Sequence, residues 1–123
     1  PRQQGFRVVQ AEECWHKSLT PLMEEVRKQM GSGPVYLSFD IDSLDPAFAP
    51  GTGTPEIGGL TPREVQVMVR SLQGKHLVGG DICEVAPCYD PTGITAVTAA
   101  NLMWEMLCVV ADSHAKRKAK KRK

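Results

Sequence analysis

A continuous apolar run that ends in two aspartates lies near the middle of the chain: Val35-Tyr36-Leu37-Ser38-Phe39-Asp40-Ile41-Asp42. Its residues are mostly apolar on both of the faces that alternate along a strand, which is typical of a parallel strand buried on both sides. Asp40 and Asp42 are two residues apart, so on a strand their carboxylates would share a face. Open parallel sheets place their ligands at the carboxyl ends of the strands. The run therefore predicts an α/β fold with two carboxylates at its functional edge.

Apolar spacing and capping signals predict the elements on either side of this strand. They are a helix within residues 13–30 whose first turn begins near Leu19, a helix over residues 61–72, a strand over residues 77–85 and a helix from Thr92 or Gly93 to about Val110. Thr61-Pro62-Arg63-Glu64 combines an N-cap, a proline at the first helical position and a glutamate at the third. Strands that alternate with helices indicate right-handed crossovers and a parallel sheet.

Two carboxylates side by side in a poorly solvated crevice are costly unless a cation compensates them. Their oxygens favour hard divalent ions such as manganese or magnesium. The alternative is that one aspartate caps the following turn while the other is solvated, which is the more frequent case for a bare Asp-x-Asp. The apolar run before Asp40 and the unusual loop after Asp42 favour the metal site here.

The positive charge of the chain is concentrated at its end. The formal net charge is +1, and the block 116–123 carries seven positive charges, which leaves the other 115 residues at −6. The body is therefore acidic, and we expect nucleic-acid contact only through the basic tail. Such a block is typically disordered, with an anionic contact surface as the alternative.

Cysteine usage and hydropathy exclude two further classes. The four cysteines form no Cys-x-x-Cys pair, so we expect buried reduced thiols rather than a zinc site. The longest apolar candidate, residues 96–110, is interrupted by Asn101 and Glu105 and is shorter than the roughly 18–20 residues of a membrane span. We expect no membrane contact. Because the chain does not start with Met, we also expect it to be part of a longer protein.

The loop after the first strand is the most specific part of the sequence: Asp42-Ser43-Leu44-Asp45-Pro46, Pro50-Gly51-Thr52-Gly53-Thr54-Pro55-Glu56 and Gly58-Gly59-Leu60. Together with Ser38-Phe39-Asp40-Ile41, it resembles the C-terminal signature of the arginase/agmatinase (ureohydrolase) family. The segments Gly5-Phe6-Arg7-Val8-Val9 and Glu12-Glu13-Cys14-Trp15-His16 are similar to the animal-type agmatinase branch. The resemblance extends from about Gly5 to Val110.

The resemblance implies a three-layer α/β/α sandwich with a parallel sheet, the arginase/deacetylase-like fold. It assigns residues 1–110 to the C-terminal part of a ureohydrolase domain, roughly its second half, and leaves residues 111–123 as a basic, disordered tail. It also implies that the complete protein is a homo-oligomer, a trimer or a hexamer.

The resemblance further implies roles for four residues. Asp40 would bridge two manganese ions, Asp42 would coordinate one of them, Thr54 would line the substrate cavity and Glu84 would pair with the substrate guanidinium. Asp40 and Glu84 are thus the catalytic candidates. The position of Glu84 at the end of a buried strand agrees with this role, although such a residue could instead pair with a nearby Lys or Arg.

The implied activity is manganese-dependent hydrolysis of agmatine to putrescine and urea, a step of polyamine biosynthesis. The alternatives are hydrolysis of a guanidino acid such as 4-guanidinobutyrate and a non-catalytic, ureohydrolase-like regulator. The family's other metal ligands would lie upstream of Pro1, so we expect this chain alone to be inactive. The location would be mitochondrial if the protein follows animal agmatinases and cytoplasmic otherwise.

Overall fold

The computed structural model describes residues 2–120, with the side chains of residues 3–119. Its helices and strands, in chain order, are α1 (Thr20–Met30), β1 (Pro34–Asp40), α2 (Pro62–Ser71), β2 (His76–Cys83) and α3 (Ile94–Lys120). Within this part of the chain, four short 3-10 turns lie between or before them, at Arg2–Gln4, Ala11–Glu13, Ile41–Ser43 and Pro87–Tyr89. The alternation of strands and helices confirms the predicted α/β order.

The two strands pair in parallel and end together. Pro34 lies opposite His76, and Asp40 lies opposite Cys83, with one irregularity after Val35 that places an extra residue on β2. The chain between them passes through α2, which makes a βαβ unit. Because both strands finish at the same level, the residues that follow Asp40 and Cys83 lie at one edge of the sheet.

All three helices contribute to a single apolar core on one side of this sheet. Its buried members are Met23, Ile41, Leu44, Ala49, Val65, Val69, Leu72, Leu77, Ala99, Leu102, Met106 and Val109. α3 approaches β2 closely at Gly80, where a Cβ would lie 2.7 Å from the Met106 Cε and 2.7 Å from the Leu37 carbonyl oxygen. Glycine at this position therefore lets α3 pack directly on the strand.

The other face of the sheet is open within the part of the chain that the structure describes. Tyr36 is 61% exposed, and its hydroxyl donates to Asp81 Oδ2 at 2.7 Å. Ser38 donates to Asp81 Oδ1 at 2.8 Å. The expected burial of β1 on both sides is thus wrong for the described residues, because no described element packs over the face that carries Tyr36 and Ser38.

The start of α2 follows the sequence signal. Thr61 accepts a hydrogen bond from the Glu64 N–H, the Glu64 side chain accepts one from the Thr61 N–H, and Pro62 occupies the first helical position. α1 begins at Thr20, so its start near Leu19 is also confirmed. Trp15 precedes that helix, and its indole N–H donates to the Gly58 carbonyl at 2.9 Å.

α3 corrects the prediction of a disordered tail. It continues from Ile94 to Lys120, so residues 111–120 are helical, and residues 121–123 lie outside the described residues. Ala, Lys and Arg are good helix formers, and Lys116 pairs with Asp112 at 2.7 Å, one turn apart. Positive side chains in a last turn also complement the helix dipole.

By length and composition alone, α3 could cross a membrane over Ile94–Ala119. This is weak evidence, because the core helix of a water-soluble protein satisfies the same criterion. Ala99, Leu102, Met106 and Val109 on α3 are buried in the core described above.

The cysteines depart from expectation. Cys83, Cys88 and Cys108 are exposed and Cys14 is half-buried, all as free thiols, so their predicted burial is wrong. Cys83 is exposed because it ends β2 on the open face of the sheet.

Candidate functional site

The two aspartates lie together at the carboxyl end of β1, but the strand pleat does not place them there. Asp40 is the last residue of the strand, and Asp42 belongs to the 3-10 turn that follows. The Asp42 N–H donates to Asp40 Oδ1 at 3.2 Å, so Asp40 caps the turn that carries its partner. Ile41 and Leu44 are 0% and 1% exposed, which fixes this turn from the core side. Both aspartates are half-buried.

Thr54 reaches the same pair from the long loop. Its hydroxyl donates to Asp42 Oδ2 at 2.6 Å. This bond engages one carboxylate oxygen of Asp42, leaves the other oxygen available and restricts the rotation of the carboxylate. Thr54 is itself exposed, so it lies at the open side of the pair.

Glu84 follows directly after Cys83, the residue opposite Asp40 in the sheet register. Its backbone has φ +64°, a left-handed conformation that is uncommon for a residue with a Cβ. The side chain is exposed, and it forms no ion pair with any residue that the structure describes. The alternative interpretation, a glutamate paired with a nearby Lys or Arg, therefore has no support among the described residues.

The edge around these carboxylates is electronegative. Partial burial raises the pKa of the Cys83 thiol, and the negative charges of Asp40, Asp81 and Glu84 raise that pKa further. An edge that disfavours one more negative charge favours a cation by the same electrostatics. The site therefore suits a metal ion, a guanidinium group or both.

Asp45 holds the loop beside the site. It accepts hydrogen bonds from the Ala47 N–H and the Gly58 N–H, both at 2.9 Å, and these bonds lower the pKa of its carboxyl group. Gly59 crosses so closely that a Cβ there would lie 2.5 Å from the Asp45 nitrogen. Asp45 therefore shapes the loop.

A second anchor of the loop was missed by sequence reasoning. The Gly51 N–H donates to the Thr95 hydroxyl at 2.8 Å, and the N–H groups of Thr95 and Ala96 donate to the Asp90 carboxylate at 3.1 and 2.9 Å. Burial alone would raise the pKa of Asp90, but the hydrogen bonds from Ala96 and Thr95 keep it lowered. A sequence signal was available, since an aspartate shortly before a helix is a common cap.

The residues present fit manganese in donor type but not in number. Asp40 and Asp42 offer carboxylate oxygens, the ligands that such hard ions prefer. Among residues 2–120, no group of three or more His, Cys, Asp or Glu side chains could hold a metal ion. The described residues alone thus provide too few ligands for a metal site, and further ligands would have to come from elsewhere.

The fold and the site together define a class of protein. It is a parallel α/β protein in which carboxylates, held in place at one edge of the sheet, favour a cation. The chain belongs to the arginase family, whose model matches residues 1–108. It is 66% identical over 109 residues to guanidinobutyrase from Pseudomonas aeruginosa, which covers 89% of this chain and 34% of the relative. It is also 66% identical over 107 residues to the mitochondrial agmatinase of Gallus gallus, which covers 87% and 32%.

Solved structures show the same fold. Proclavaminate amidino hydrolase from Streptomyces clavuligerus superposes with a TM-score of 0.87 and 44% identity, over 92% of this chain and 38% of that chain. The arginase-like fold is therefore confirmed. The chain spans about a third of the length of the curated relatives it matches, a smaller share than the half that the sequence suggested.

Proposed function

We propose that this chain contributes part of the active site of a manganese-dependent hydrolase that converts agmatine to putrescine and urea. The observation that carries the proposal is the convergence of Asp40, Asp42 and Thr54 at the edge where Glu84 follows β2. Two similar relatives, a guanidinobutyrase and an agmatinase, support a guanidino compound as the substrate.

Asp40 and Asp42 would hold the manganese, with the remaining ligands supplied from outside this chain. Two such ions, when bound, supply Lewis acidity that makes water a competent nucleophile near neutral pH. The contribution of the chain is orientation: Asp40 is fixed by its cap on the turn, and Asp42 is fixed by Thr54. Thr54, which the resemblance assigns to the substrate cavity, therefore acts in this proposal first as a positioning residue for Asp42.

Glu84 would bind the guanidinium of the substrate. A carboxylate can accept two parallel N–H bonds from a planar guanidinium, which fixes the plane of the group. Its exposure leaves its oxygens accessible for this pairing. In the overall reaction, water adds at the guanidinium carbon, the bond from that carbon to the alkyl nitrogen breaks, and the nitrogen leaves as an amine after taking a proton.

The nearest competing proposal is hydrolysis of a guanidino acid such as 4-guanidinobutyrate. The guanidinobutyrase relative favours it as strongly as the agmatinase favours agmatine, since both are 66% identical to this chain. The third candidate is a non-catalytic regulator. Retention of Asp40, Asp42, Thr54 and Glu84 argues against it, because a protein without catalysis has no chemical need for all four.

Further parts of the proposal concern the whole protein. The chicken relative is named as mitochondrial, which supports the mitochondrial location over the cytoplasmic one. We propose that the whole protein assembles as a homo-oligomer, a trimer or a hexamer, and that this chain alone is inactive.

The test is a hybrid enzyme, in which this chain replaces the matching segment of the Pseudomonas aeruginosa guanidinobutyrase. Urea release is measured with agmatine and with 4-guanidinobutyrate, with and without added manganese. The Asp40→Asn variant of the hybrid is assayed beside it, and so is the isolated 123-residue chain.

We expect manganese-dependent urea release from the hybrid, loss of more than about 100-fold in Asp40→Asn, and no release from the isolated chain. The hybrid tests the metal site, and the whole protein that carries this chain tests the substrate, assayed with agmatine and with 4-guanidinobutyrate. A preference of that whole protein for 4-guanidinobutyrate would make the acid the proposed substrate in place of agmatine. Undiminished release by Asp40→Asn would overturn the assignment of the site.

A further inference from the structure

The end of the sheet opposite the carboxylates is lined by cations. There the last turn of α1, the start of β2 and the last turns of α3 surround a cavity of about 490 Å³. Its positively charged lining consists of Arg27, Lys75, Lys116 and Arg117, and His76 and Ser113 also line it. Residues from three separate segments therefore place their charge around one concave surface.

A second cavity of about 570 Å³ adjoins it. His76 and Arg117 line both cavities, and His114 and Lys118 line the second. No acidic residue lines either cavity in the part of the chain that the structure describes. The two cavities thus form one basic surface, which we call the basic pocket.

Some of these cations are held in place without being neutralised. Lys75 Nζ donates to the Gly31 carbonyl at 2.9 Å, and Arg27 donates to the carbonyls of Ser71 and Gln73. Lys116 is paired with Asp112. Carbonyl acceptors orient a cation but leave its charge available, so Arg27 and Lys75 are preorganised to bind an anion.

Ser113 lies beneath this surface. It is 3% exposed, and its hydroxyl oxygen is fully buried and has no hydrogen-bond partner among the residues that the structure describes. An anion in the cavity does not reach this hydroxyl, so recognition depends on the cations.

We propose that the basic pocket binds a small, soluble anion with two or more linked phosphate groups. Two adjoining cavities that share Arg117 suit neighbouring phosphates better than a single one. A long polyanion fits less well, because the remainder of the chain outside 116–123 has a net charge of −6 and would repel it. The pocket lies at the far end of the strands from Asp40 and does not depend on the hydrolase activity.

The test uses inorganic tripolyphosphate as the probe, titrated by calorimetry into the 123-residue chain and, in parallel, into the hybrid enzyme. Arg117→Ala removes a cation that lines both cavities, and Ser113→Ala removes the buried hydroxyl that the anion does not reach. Arg63→Ala is the matched control, because Arg63 is an exposed cation at the start of α2, away from the pocket. Circular dichroism verifies that each variant is folded.

We expect saturable binding of one tripolyphosphate per chain that weakens as salt is raised. Arg117→Ala should weaken binding by about tenfold or more, while Ser113→Ala and Arg63→Ala leave it unchanged.

Three results would overturn the proposal. The first is the absence of saturable binding at millimolar tripolyphosphate in both the chain and the hybrid. The second is an equal loss of affinity in Arg63→Ala and Arg117→Ala, which indicates unspecific charge attraction. The third is binding of duplex RNA or of phosphoinositide vesicles without binding of tripolyphosphate. None of them bears on urea release, so failure here and failure of the proposed hydrolase are distinguishable.

Discussion

The two ends of the same pair of strands differ in charge and in construction. The carboxyl edge presents Asp40 at the end of β1, Asp42 in the turn that follows it and Glu84 directly after β2. The amino end presents Arg27, Lys75 and Arg117 on long side chains near helix ends and in a connection. Short side chains on a locked backbone suit the fixed geometry of metal binding and catalysis. Long cationic side chains on one surface suit recognition of charge.

The backbone that supports the two ends differs as well. At the carboxyl edge, Ile41 and Leu44 are buried, and the loop is held through Asp45 and through Gly51. At the amino end, the cations are tied mainly to carbonyl oxygens of neighbouring segments. A site with fixed catalytic geometry therefore needs buried anchors, whereas recognition of an anion needs only several cations close to one another.

Glu84→Gln in the hybrid enzyme should show the largest difference in effect between the two ends of the strands. We expect kcat/KM for urea release to fall by about 10- to 100-fold, because a charge-assisted pair with the guanidinium is lost while the shape of the side chain is kept. Tripolyphosphate affinity should not change. Glu24→Gln, at an exposed carboxylate on α1, is the control. A normal kcat/KM in Glu84→Gln would remove Glu84 from substrate binding.

Gly51→Ala tests the buried anchor of the carboxyl edge. A Cβ at Gly51 would lie 2.5 Å from the Asp90 Cβ and 3.0 Å from the Thr95 hydroxyl, so we expect a loss of about 1–3 kcal/mol in unfolding free energy. Chemical denaturation measures it. Gly53→Ala is the matched control, since no atom lies within 4 Å of its added Cβ. Equal stability of the two variants would contradict the close packing of this anchor.

Asp45→Asn tests the loop through its pH dependence. Hydrogen bonds from Ala47 and Gly58 lower the pKa of Asp45 in the folded chain, so its stabilising contribution is present above the ordinary carboxyl pKa. That contribution is lost as the pH falls below about 4. We expect the variant to be less stable than the parent at pH 7 and to approach it in acid. A stability difference that stays constant down to pH 2 would exclude this cause.

Thr61→Ala should have the smallest effect, because it removes one half of the capping box of α2 and touches neither end directly. We expect a loss of about 1 kcal/mol in unfolding free energy, measured by urea denaturation. Unchanged urea release in the hybrid would accompany it. A loss of activity without a loss of stability would show that α2 contributes to the site in some other way.

The sequence predicted what local patterns determine. The cap of α2 at Thr61 and the parallel pairing of β1 with β2 follow from short-range signals and were confirmed. The sequence predicted that the strand pleat places Asp40 and Asp42 side by side. In the structure the strand ends at Asp40, and a cap, rather than the pleat, holds Asp42. Pattern rules for strands do not indicate at which residue a strand stops.

Features that depend on distant contacts were not predictable from one sequence. The bond from Gly51 to Thr95 joins residues 44 apart, and the basic pocket collects cations from three segments. The helical structure of residues 111–120 differs from the expectation based on the block of like charge, because Ala, Lys and Arg also favour a helix. Like charges within an isolated block repel one another. Here, however, the packed helical residues 94–110 continue directly into residues 111–120.

The most direct test of the central claim is the number of manganese ions bound per chain of the hybrid enzyme, measured by elemental analysis after dialysis. The account predicts two ions per chain in the hybrid, fewer than two in Asp40→Asn, and two again in Arg117→Ala at the opposite end. Two ions in Asp40→Asn would show that the edge formed by Asp40 and Asp42 does not hold the metal, and would contradict the account.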